Sequence, residues 1–125
     1  MAVIDDYRRG WALRYLREAR AELTAARMSR DMAPNLIFNA LRKAQSAIYH
    51  SMGNPVSIAG IVQQKISEGS FIDDPILKCL VEIEKSIQWI ASLPTSLRDT
   101  IIMEAENIIC VASEIVKLFA GEHED

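Results

Sequence analysis

A chain of 125 residues with 50% apolar and 25% charged side chains has the size and balance of one folded domain, which excludes a disordered charged tail as its main state. Five Gly and four Pro supply too few turns for an all-β sandwich, which needs one about every 8–12 residues. A net charge of −3 and a pI near 5.4 argue against strong nonspecific binding to nucleic acid.

The pattern predicts an all-α protein: a compact up-down bundle of about five helices over residues 1–121, with a mobile tail at 122–125. The first helix is expected from Asp5 or Asp6, which can cap free N–H groups, to about Arg30, ahead of the Asp31-Met32-Ala33-Pro34 break. Ala12, Leu16, Ala19, Leu23 and Ala26 form its apolar stripe, widened by Trp11 and Tyr15. The second runs from a cap at Asn35 to about Met52, where Gly53 and Pro55 stop it. Its Ala40, Ala44 and Ala47 allow close approach, so the first two helices should form an antiparallel hairpin.

A shorter third helix is expected over Val56 to Ser67, ending at Glu68-Gly69-Ser70. Asp74-Pro75 is a start signal, because Asp caps and Pro fits the first turn, and the fourth helix then runs to about Leu93. Ser96 and Asp99 are spaced as a variant capping box that introduces a fifth helix, Leu97 to about Ala120. This last helix carries two apolar lines. One holds Ile101, Ala105, Ile108, Ala112, Ile115 and Phe119; the adjacent one holds Ile102, Ile109 and Val116. So wide an apolar face predicts association, so a homodimer with Ile102, Ile109 and Val116 at its interface is expected. A central fifth helix in a monomer is the alternative.

The first ten residues put two carboxylates where a signal peptide carries positive charge, so a cytoplasmic protein is expected. No uninterrupted apolar run approaches the ~18–20 residues of a membrane span, so no membrane association is expected. Cys79 and Cys110 stand alone in helical patterns, without metal-ligand spacing, and read as buried reduced thiols. No metal or cofactor motif is present.

Charge divides the chain: residues 1–43 carry a net +4 and residues 44–125 a net −7. The arginine-rich first helix suits either an RNA or acidic partner, or simply the acidic later helices. On the second helix Asn39, Lys43, Ser46 and His50 fall on one polar line, with Arg42 beside it. Lys43 and Arg42 can hold a phosphate and His50 can move a proton near neutral pH, while a solvated helix face has the same composition. These five residues are the candidate ligand or RNA site.

The segments YLREARAELTAAR at residues 15–27 and KAQSAIYHSMG at residues 43–53 give residues 7–55 a pattern that resembles a HEPN domain. The resemblance implies a compact, often dimeric helical bundle, either an RNA-cleaving enzyme or a noncatalytic binding module. Catalytic members carry an Arg followed closely by a His late in the bundle. Here the only late Arg is Arg98, with Asp99 next to it and no His before His123. The expected function is therefore a noncatalytic, dimerising module for a protein or RNA partner. Two alternatives are a divergent ribonuclease or nucleotide-binding enzyme using Arg42, Lys43 and His50, and a structural subunit of a larger complex.

Overall fold

A computed structural model describes residues 6–29, 31 and 33–120. The expected roles of Asp5, Arg30 and the 122–125 tail lie outside the described residues. Among the described residues the protein is all-helical: α1 (Asp6–Met28), α2 (Ala33–Met52), α3 (Pro55–Glu68), α4 (Pro75–Ala91) and α5 (Arg98–Ala120), with a 3-10 turn at Thr95–Leu97. No described helix is long and apolar enough to cross a membrane.

The helix ends follow local chemistry. Asp74 accepts hydrogen bonds from the Ile76 and Leu77 amides at 2.9 and 3.3 Å, and Pro75 opens α4 with no N–H to leave unpaired. Asn54 caps α3 in the same way, accepting from the Ser57 amide at 3.1 Å. The Asn54-Pro55 pair is a signal that the sequence reading passed over. Gly69, at φ 65°, adopts the left-handed conformation and donates its N–H to the Lys65 carbonyl, closing α3.

Two expected caps do not form. Helix α2 begins at Ala33, because Pro34 is tolerated in a first turn whose N–H groups lack intrahelical partners, so Asn35 sits inside the helix. Ser96 lies within the 3-10 turn that leads directly into α5 rather than at a cap.

The orientations can be read from contacts between numbered residues. Tyr15 meets His50 and Glu22 meets Lys43, so numbers rise along α1 as they fall along α2, and the pair is antiparallel. The same holds for α1 and α5, where Arg20 meets Ser113 and Arg27 meets Glu106. Helix α2 touches α1, α3, α4 and α5 and is the centre of the fold. Leu41 and Ile48, both 0% exposed, fill that centre; truncating either to Ala leaves a cavity and costs about 2–5 kcal/mol.

The width of α5 has an intramolecular explanation. Ile102, Ile109 and Val116 are 8, 4 and 1% exposed within a single chain. They turn to the same side as Ala105 and Ala112, and Ile109 shares a groove wall with Leu23 of α1. Their assignment to a dimer interface is therefore corrected: they belong to the core, and their apolar character gives no argument for a second copy. One further expectation changes. Cys110 is exposed, because position 110 faces away from the Ala105–Ala112 line, whereas Cys79 is half-buried; both thiols are free. Trp89 stands 54% exposed on α4.

Candidate functional site

The polar residues of α2 divide between two neighbours. Residues 42 and 43 are about 100° apart around the helix. Lys43 consequently faces α1, while Arg42 faces α4.

On the α1 side, Lys43 Nζ lies 3.2 Å from Glu18 Oε1 and is paired with Glu22 Oε2. Glu22 and Glu18 hold the Lys43 ammonium above its usual range. In return, hydrogen bonds from Arg14 and Lys43 lower the Glu18 carboxyl. His50 Nδ1 lies 2.8 Å from the Ser46 carbonyl oxygen. A carbonyl only accepts, so Nδ1 is the donor in this contact.

The His50 ring packs on Tyr15 at 5.2 Å, Tyr15 on Trp11 at 5.6 Å and Trp11 on Tyr7 at 6.3 Å. Arg14 lies 5.0 Å over Trp11. The aromatic side chains of α1 thus form a ladder ending at His50. Sequence reading placed Trp11 and Tyr15 on an apolar flank and did not connect them to His50. Only the four-residue spacing of Tyr7, Trp11 and Tyr15 hinted at the ladder.

On the α4 side the structure builds a buried polar network. Arg42 Nη1 donates to Glu84 Oε1 and to Gln45 Oε1, each at 2.7 Å. Gln45 Nε2 donates to Glu84 Oε1 at 2.5 Å and to Tyr49 Oη at 3.1 Å, and Gln88 Nε2 donates to Glu84 Oε2 at 2.7 Å. Glu84 and Gln45 are 3 and 7% exposed. Burial pushes the Glu84 carboxyl up, but hydrogen bonds from Arg42, Gln45 and Gln88 outweigh it and leave the group below its usual range. Burial, reinforced by the Glu84 charge, pushes Tyr49 up to about 12. Nothing in the sequence singled out Glu84, since one acidic residue on an apolar stripe becomes informative only when its partners 39 and 42 positions away are known.

The five candidate residues therefore do not converge. Arg42 joins the network with α4; Lys43, Ser46 and His50 border α1; Asn39 is exposed. The idea that Arg42 and Lys43 hold one phosphate together is corrected, because their side chains are neutralised by carboxylates of different helices, Glu84 of α4 and Glu18 and Glu22 of α1. Arg98, the late arginine, has another role: its Nη2 donates to the carbonyls of Ala26 and Arg27 at 2.8 Å each, placing a cation on the negative end of α1. Three arginines of α1 also have partners in the fold: Arg14 with Glu18, Arg20 with Ser113 and Arg27 with Glu106.

No group of three or more His, Cys, Asp or Glu side chains placed to hold a metal occurs among the described residues. What α5 leaves in solvent is an outward face bearing Met103, Val111 and Leu118, which are 54, 41 and 68% exposed, with exposed Cys110 between them. Comparison with models of protein families, with curated proteins and with solved structures finds no match to this chain.

Proposed function

We propose that the chain is a noncatalytic, HEPN-like helical module that forms a homodimer through the outward face of α5 and acts as a protein-binding subunit. The observation that carries this reading is that the face is self-complementary about the point between residues 110 and 111. A two-fold interface must match its own reversed sequence. When α5 is laid antiparallel to its copy, Met103 stands level with the partner's Leu118, and Asn107 with the partner's Glu114. An amide there donates to a carboxylate.

Cys110 then lies beside the partner's Cys110 on one flank of the seam, and Val111 beside the partner's Val111 on the other. All six positions are exposed in the single chain. The noncatalytic part of the reading draws support from Arg42, Lys43 and His50, each of which already has an intramolecular partner. Residues 7–55 contribute the HEPN resemblance through their pair of long antiparallel helices.

Mild oxidation tests the seam directly. The protein should form a covalent dimer at low micromolar concentration, lost in Cys110→Ser and kept in Cys79→Ser. Failure to cross-link, or cross-linking through Cys79, would overturn the dimer. Degradation of RNA by the purified chain, abolished by His50→Ala, would instead establish the ribonuclease reading.

A further inference from the structure

Where the start of α2, the end of α4 and the start of α5 meet, a cavity of about 160 Å³ opens between Ile37, Phe38, Ile90, Leu93, Ile101 and Arg98. Its lining is aliphatic and aromatic apart from Arg98 and Thr95. An engineered apolar cavity of about 150 Å³ in another protein is large enough for benzene, so this one suits a chain of four or five carbons.

The cation in its wall is fixed and incompletely satisfied. Arg98 is held by the two α1 carbonyls that its Nη2 meets at 2.8 Å. Among the described residues the carboxylate paired with it is the solvated Asp99, 98% exposed and 3.5 Å from Nη1. Arg98 Nε is buried and has no hydrogen-bond partner. A buried N–H of a charged group is rarely left unpaired, and the acceptor that best satisfies it is an anion.

We propose that this cavity binds a small aliphatic monocarboxylate, with its carboxylate on Arg98 Nε and its chain among Ile37, Ile90 and Ile101. The Thr95 hydroxyl is a further donor available to the carboxylate. A monoanion fits better than a phosphate: beyond its contacts to Ala26, Arg27 and Asp99 the guanidinium keeps two N–H groups, on Nε and Nη1, and Asp99 already places a negative charge beside Nη1, while the remaining surface rewards carbon. The site is independent of the α5 seam, so loss of the dimer leaves it in place.

Pentanoate is the probe, titrated into the full chain while the Ile methyl resonances are followed by NMR. Saturable shifts are expected at Ile37, Ile90 and Ile101, and binding of 1-pentanol should be about tenfold weaker, the difference expected for one charge-assisted hydrogen bond. Ala33→Leu places a larger side chain in the cavity wall, leaves Arg98 untouched and should abolish the shifts. Arg98→Lys, which keeps the charge but removes the fixed Nε, should weaken pentanoate without weakening pentanol. Equal affinity for the acid and the alcohol, or unchanged binding in Ala33→Leu, would overturn the proposal.

Discussion

Arg42 Nη1 lies 2.7 Å from Glu84 Oε1, a contact across 42 residues of chain that locks α2 to α4 through an almost fully buried carboxylate. Phe38 packs under the same guanidinium at 5.2 Å. Removing one partner from such a pair is worse than never having had it, because the other charge stays buried. Arg42→Ala should therefore destabilise the fold by about 3 kcal/mol in urea unfolding, because it leaves the Glu84 carboxylate buried without its cation; Glu84→Ala should cost less, because Arg42 is 37% exposed and its guanidinium can turn to water. Replacing Arg42, Gln45 and Glu84 together by Met, Leu and Leu should cost less than Arg42→Ala alone.

The same network sets two pH limits. Glu84 has a lowered pKa in the folded state, so its contribution is complete above the carboxylate's ordinary value of 4.5 and is lost as pH falls through the folded value. Tyr49 has a raised pKa of about 12 against an ordinary value of 10.0; the fold favours its neutral form, and stability drops as pH climbs from 10 toward 12. Thermal unfolding across pH should show both slopes. Glu84→Gln should flatten the acid limb and Tyr49→Phe the alkaline one.

Lys43 separates two carboxylates one helical turn apart on α1. Lys43→Ala leaves Glu18 and Glu22 facing each other with no cation between them, and Glu22 Oε1 is already buried without a hydrogen-bond partner. The expected loss is about 1 kcal/mol, a partly exposed pair being worth no more, and it should shrink when Glu22→Gln is added. Chemical unfolding of the single and double variants gives the coupling. A polar line on a freely solvated face would show no such coupling.

Much of the fold was legible because helix signals are local. The Asp74-Pro75 start, the Ala-rich seam of α2 and the stripe from Ala12 to Ala26 all function within a few residues of themselves. Partners were not legible. Periodicity shows that Ile102, Ile109 and Val116 are buried but not whether the covering surface is α1, α2 or another molecule. Lys43 and His50 share a line on α2, yet nothing local indicates that Glu18, Glu22 and Tyr15 complete it from α1. Arg98 looked like a misplaced catalytic arginine; only the tertiary fold sets it against the last carbonyls of α1.

The two thiols should differ in reactivity. Burial raises the Cys79 thiol, with the Glu82 charge adding to it, whereas Cys110 is exposed on α5. A thiolate reagent at neutral pH should modify Cys110 first and Cys79 in a slower phase. The slow phase should merge with the fast one in denaturant. If the seam forms, raising protein concentration should slow Cys110 and leave Cys79 unchanged.

Light scattering of the purified protein at micromolar concentration, with and without Val111→Arg, tests the assembly most directly. The α5 seam predicts a particle of twice the 14.0 kDa chain mass. It also predicts a folded monomer for Val111→Arg, because two like charges then meet beside the two-fold axis. A wild-type monomer, or a dimer indifferent to Val111→Arg, would contradict it.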